Sequence, residues 1–146
     1  MAAKTILEKF FGDYAHRFND GLKCDVDVEA TAAAFASCFI EASTRGVICA
    51  NNDDQFRAMI PRGNDFYRSI GTKSMNVRAT EISPLDDHHD MVKVFWNSVY
   101  IKQDRTPVTI DFDVIYLLEG TEGAPKIFGY ITGDEQKVLR DSSLIP

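Results

Sequence analysis

Cysteine is scarce in this chain. The three present, Cys24, Cys38 and Cys49, are odd in number and widely spaced, which suggests neither a disulfide framework nor a zinc site. They read as reduced thiols of a cytoplasmic protein, Cys38 and Cys49 as core thiols. With no histidine near them in sequence, nothing marks one as an activated nucleophile. Clustered Lys and Arg are also missing and the net charge is −6, so no nucleic-acid partner is expected. Glu8 and Lys9 interrupt the apolar stretch that a signal peptide needs, and no run approaches membrane-spanning length. The expectation is a soluble, cytoplasmic protein with no membrane partner. There is no phosphate loop, dinucleotide fingerprint or nucleophile elbow, and no cofactor is expected.

What is present is patterned apolar sequence. Apolar residues make up 45% of 146, enough for one domain over 1–146 with a real core. Thr5-Ile6-Leu7-Glu8 has the form of a capping box. Leu7, Phe10, Phe11, Tyr14 and Phe18 then recur at helical spacing until Asn19-Asp20-Gly21. A second helix is predicted from Asp25 or Asp27 through Ala36. Residues 39–43 and 46–50, split by Thr44-Arg45-Gly46, predict a hairpin or bent strand pair. A third helix begins at 52–55 and ends at Gly71, burying Phe56, Met59, Ile60, Phe66, Tyr67 and Ile70. Pro61 and Gly63 are expected to kink or break it. Residues 72–82 alternate weakly as a strand, with Met75, Val77, Ala79 and Glu81 on one face. Residues 91–102, 108–120 and 126–132 are three long strands rich in Val, Ile, Phe, Tyr and Trp. Val138, Leu139, Leu144 and Ile145 are expected to continue or flank the last strand.

Helices followed by a meander make an α+β order. Three helices, two short strands before the third, and four antiparallel strands resemble the nuclear transport factor 2-like superfamily, whose members include SnoaL-like cyclases, scytalone dehydratase and ketosteroid isomerase. Local texture carries the likeness: Phe35-Ala36 ahead of Phe39-Ile40-Glu41-Ala42, then Phe66-Tyr67-Arg68-Ser69-Ile70-Gly71, then Lys126-Ile127-Phe128-Gly129-Tyr130-Ile131. The resemblance implies three N-terminal helices packed on a strongly curved antiparallel sheet, a cone-shaped, cystatin-like α+β barrel. It implies a pocket between helices and sheet, and an outer sheet face used for homodimers. It leaves the activity open.

The pocket so implied would be lined by Phe18, Glu41, Met59, Phe66, Tyr67, Trp96, Tyr100, Tyr116 and Tyr130, and would take a small apolar ligand. Tyr14 matches the place of the oxyanion-donating tyrosine of ketosteroid isomerase; the alternative is a core tyrosine with a satisfied hydroxyl. That enzyme's basic aspartate has no equivalent. Glu41 is the only carboxylate in the matching stretch, offset by about one residue, a shift that reverses the face of a strand side chain. Asp111 and Asp113 share one strand face and form the best acid pair for proton transfer, or else a solvated strand start. Asp86-Asp87-His88-His89-Asp90 lacks the converging ligands of a metal site and reads as a turn. Arg57, Arg62 and Arg68 read as solvated helix-face residues. Three functions stay open: a ligand-binding domain, a proton-transfer enzyme of isomerase, dehydratase or cyclase type, and an interaction module.

Overall fold

The computed structural model describes residues 2–146. Its elements are α1 (Ala2–Leu22), α2 (Val28–Ala33), β1 (Phe35–Ser43), β2 (Gly46–Asn51), α3 (Asp54–Ser69), β3 (Thr72–Pro84), β4 (His89–Ile101), β5 (Pro107–Glu119), β6 (Lys126–Thr132) and α4 (Glu135–Asp141). One sheet holds all six strands in the order β2-β1-β6-β5-β4-β3. β3 to β6 form an antiparallel meander, β1 joins β6 in parallel, and β2 folds back on β1. This is the α+β, helices-then-sheet arrangement that the sequence order predicts.

α1 buries Leu7, Phe11, Ala15 and Leu22, a stripe at steps of three, four and seven that one helix face produces. It begins before Thr5, so Thr5 is a helical residue rather than the cap. Across the core it lies on β3, the sheet's edge strand, and Asn19 seals that edge. The Asn19 carboxamide donates to the Met75 carbonyl (2.9 Å) and accepts from the Met75 N–H (2.8 Å), as a neighbouring strand would. α1 also approaches α3 closely at Gly21, where any Cβ would stand 2.4 Å from the Asn64 side chain.

α2 is shorter than predicted. Asp27 caps it by accepting from the Ala30 N–H, but the chain leaves the helix at Ala34, whose carbonyl accepts from Ile127 of β6 at 2.8 Å. Phe35 and Ala36 are thereby drawn into β1 and buried. α3, capped by Asp53, runs through Pro61 and Gly63 without a break. It ends at Gly71, whose φ of 90° and contact with the Ile101 carbonyl (2.1 Å from a notional Cβ) exclude a side chain.

Two bulges decide which residues face the core. In β3 the register slips between Val77 and Ala79, so Val77 pairs with Trp96 while Ile82 pairs with Val92. Met75, Val77 and Ile82 pack on the core, whereas Ala79 and Glu81 are exposed, which corrects the single face expected. In β6 a slip at Phe128 lets Ile127 and Tyr130 both face inward. The tail is α4, not a strand extension: Asp134 caps it, and buried Leu139 packs with Tyr100 and Ile110. The cysteines are not core thiols; all three are exposed, and none is in a disulfide.

Candidate functional site

The curved sheet diverges from α1 toward the C-terminal end of β6 and leaves a cavity of about 630 Å³. Tyr14 and Phe18 of α1 and Tyr67 of α3 form one wall. Trp96, Ser98 and Tyr100 of β4, with Phe112, Val114 and Tyr116 of β5, form the opposite wall. Tyr130 and Thr132 of β6 and the start of α4 close the side. All five tyrosines of the chain border this space. A smaller hollow of about 150 Å³ lies behind Tyr14, Phe18 and Tyr67, and Arg17 and Asn64 border it.

Strand periodicity explains the walls. On β4 the even residues Val92, Val94, Trp96, Ser98 and Tyr100 are buried while the odd ones are half-exposed. On β5 Ile110, Val114, Tyr116 and Leu118 are buried. Rings fill the space between: Tyr14 lies 6.1 Å from Trp96 and 6.2 Å from Tyr116, and Phe11 lies 4.8 Å from Tyr116.

The phenols differ in their partners. Tyr67 donates to Glu135 at 2.6 Å, and Tyr130 donates to Glu41 at 2.7 Å. The Trp96 indole donates to Tyr116, and Ser98 donates to Tyr100. Tyr14 donates to no protein group among the described residues; burial pushes its phenol up, against the pull of Arg17. Burial also raises Tyr67, Tyr100, Tyr116 and Tyr130, and the carboxylates add to the shift at Tyr67 and Tyr130. All five therefore stay protonated at neutral pH, as donors rather than bases.

Of the residues singled out in the sequence, Phe18, Tyr67, Trp96, Tyr100, Tyr116, Tyr130 and Tyr14 come together here. Glu41 does not border the cavity but shares the inner face of β1 with Phe39, so the offset noted in the sequence leaves it facing inward, on Tyr130. Met59 and Phe66 are corrected: they are 53% and 43% exposed, on the outer side of α3. Asp111 and Asp113 are corrected too. Asp111 accepts from Asn97 at 2.7 Å and lies 3.5 Å from Arg78, both on the outer face. Asp113 borders the cavity, but its carboxylate turns outward to Lys93, 3.9 Å away, so it offers the interior backbone only. Neither carboxylate converges with Tyr14.

Sequence reasoning missed Thr72, Glu135 and the α4 cap. Gly133-Asp134-Glu135, a strand breaker followed by a cap residue and an acid, was the available signal. His88 pairs with Glu122 and His89 with Asp86, and no group of three or more metal-ligating side chains converges among the described residues. No described helix is long and apolar enough to cross a membrane.

Comparison with curated proteins finds no match. Solved structures share the fold at low identity. A cystatin-like domain of unknown function from Nostoc punctiforme superposes with a TM-score of 0.65 at 16% identity, covering 100% of this chain and 88% of that one. An NTF2-like protein with a cystatin-like fold from Novosphingobium aromaticivorans gives 0.65 at 11%, covering 98% and 88%. The β subunit of benzoate 1,2-dioxygenase from Burkholderia mallei gives 0.64 at 17%, covering 91% of each chain. A family model described as NTF2-like protein (DUF6841) matches residues 4–135, most of the chain, and the chain belongs to that NTF2-like family.

Proposed function

We propose that this protein binds a small, largely apolar molecule in the cavity between α1 and the curved sheet. The observation that carries this reading is an interior space of about 630 Å³ ringed by every tyrosine of the chain. A space of that size suits a drug-sized ligand. The test is to fill it. Val114→Phe should sharply weaken binding of hydrophobic probes detected through Trp96 emission or ligand-observed NMR, while the far-ultraviolet spectrum stays native. Equal probe binding by the filled variant would overturn the reading.

A second reading, proton-transfer catalysis, draws on Tyr14. Tyr14 borders the cavity, and its hydroxyl has no hydrogen-bond partner among the described residues, as befits an oxyanion donor. The carboxylate that moves a proton would then be Glu41 or Glu135, each within a hydrogen bond of a lining phenol. Tyr14→Phe should lower turnover of an enolisable ketone on the order of a hundredfold with KM little changed.

We further propose a homodimer through the outer sheet face. Two cross-strand rows there are apolar: Val47, Ala42, Ile131 and Ile115, then Cys49, Ile40, Gly129, Leu117 and Met91. Val47, Ile40 and Ile131 are 68%, 44% and 47% exposed, a contiguous surface of a kind that usually meets a partner. Light scattering should give twice the chain mass, and Ile131→Glu should halve it; a monomeric wild type would refute the dimer. Three exposed thiols without a disulfide suit a reducing compartment, and the proposed location is the cytoplasm.

A further inference from the structure

The cavity is one-sided in charge. Asp134 and Glu135 stand at its border, and no Lys, Arg or His does. Arg17 lies behind Tyr14 in the smaller hollow, and Arg45 reaches Gln136 outside the rim without bordering the cavity. Asp134 is engaged as the cap of α4, accepting from the Lys137 backbone N–H, whereas Glu135 is exposed at the rim and held by the Tyr67 hydroxyl.

Part of its hydrogen-bonding capacity leans the same way, while the Tyr14 and Thr72 hydroxyls are free to donate as well as accept. The phenolic protons of Tyr67 and Tyr130 are committed to Glu135 and Glu41, so these oxygens present lone pairs to anything bound. Thr72 adds an independent sign of a missing partner. It borders the cavity at 5% exposure, and its hydroxyl oxygen is buried with no hydrogen bond. A native polar atom in that position expects a partner. Around these acceptors stand the rings of Tyr14, Phe18 and Tyr100, whose faces carry the negative end of the aromatic quadrupole.

Committed phenols, ring faces and a rim carboxylate, with no Lys, Arg or His among the described lining residues, favour positive charge over negative. We propose that the site takes an organic cation: a substituted ammonium on an apolar or aromatic body, its charge seated beside Glu135 and the ring of Tyr67. The inference rests on the ligand-binding reading and adds the ligand's class. A fatty carboxylate or phosphate ester would have to desolvate its charge against Glu135 with nothing to neutralise either group.

The test uses three probes of one shape on the intact protein: phenyltrimethylammonium, its neutral isostere tert-butylbenzene, and the anion benzenesulfonate. Trp96 is the only tryptophan and stands in the cavity wall, so its emission reports occupancy directly, with calorimetry as a second readout. The cation should bind about tenfold tighter than the isostere, and the anion should not bind. Glu135→Gln, at an exposed position, should erase most of that preference and leave tert-butylbenzene affinity unchanged. Equal or tighter binding of the neutral or anionic probe overturns the cation inference while leaving the cavity reading intact. An undiminished preference in Glu135→Gln overturns the seat assigned to the charge. No response to any probe, by either readout, refutes both readings together.

Discussion

The two faces of β4 and β5 are built from alternate residues of the same strands, yet they do different work. The inner face carries Trp96, Tyr100, Val114 and Tyr116, all buried, and meets Tyr130 and Tyr67, whose hydroxyls donate to carboxylates brought in from β1 and α4. The outer face carries Lys93, Asn97, Asp111 and Asp113, which pair with each other and with Arg78 in solvent. The acid pair that shares a strand face in sequence, Asp111 and Asp113, thus points to solvent. The acids that reach lining phenols, Glu41 and Glu135, come instead from β1 and α4. Charge proximity in sequence says little about chemistry when a period of two sends neighbours to one solvated face.

The largest break in this comparison should come from the interior. Trp96→Ala removes a fully buried indole that packs near Tyr14 and donates to Tyr116. Urea unfolding should show a loss of about 3–5 kcal/mol. Phe95→Ala, one residue away on the half-exposed outer face, should cost clearly less. Similar losses at both positions would mean that the outer face is as tightly covered as the core.

Alkali should separate the faces next. Folding raises all five phenols above 10.0, so above that pH the unfolded chain binds fewer protons than the folded one. Stability that is full below about pH 10 must then fall as pH rises toward the folded values. Phenolate absorbance at 295 nm should stay low through ordinary tyrosine titration and rise together with loss of the native circular dichroism. A smooth non-cooperative rise centred near 10 would show that the tyrosines are solvated.

A smaller effect should follow Tyr67→Phe. It deletes the hydrogen bond to Glu135 without opening a hole, and Glu135, being exposed, turns to water. The expected cost is about 1 kcal/mol. A null result would place Glu135 in solvent in the free protein, with its hydrogen bond made only on binding.

How much of this was legible in sequence follows from the same physics. β4, β5 and β6 could be bounded within a residue or two because β-branched and aromatic residues run between turn formers. Which face of β4 points inward could not, since Phe95 and Trp96 are equally apolar and only pairing with Phe112 and packing under Tyr14 decides. The bulge at Arg78 is a property of the β3–β4 pairing, so alternation along β3 alone misassigns Ala79 and Ile82. Met59 and Phe66 looked buried because helical spacing fits them, yet α3 has little beyond α1 and α2 to cover it. Tyr14, Tyr67, Tyr100, Tyr116 and Tyr130 were found through their types. Their partners Glu41 and Glu135 lie 89 and 68 residues away in sequence, a separation that no local pattern encodes.

The smallest effect is the most discriminating. Asp113→Asn removes an ion pair at 3.9 Å between two half-exposed side chains, and Asp111→Asn weakens a contact with Arg78 in the same setting. Exposed pairs of this kind contribute under about 0.5 kcal/mol, more so at physiological salt, which screens them further. The double variant should therefore unfold at nearly the wild-type urea concentration and bind cavity probes with unchanged affinity. Glu135→Gln, which also changes one carboxylate to an amide, should alter probe selectivity at little cost in stability. If instead the Asp pair changed binding and Glu135 did not, the division between the cavity-facing side and the solvated outer acids would be reversed. Asp113 would then reach the cavity through the strand it borders, and the proton-transfer reading would regain the carboxylate it lacks.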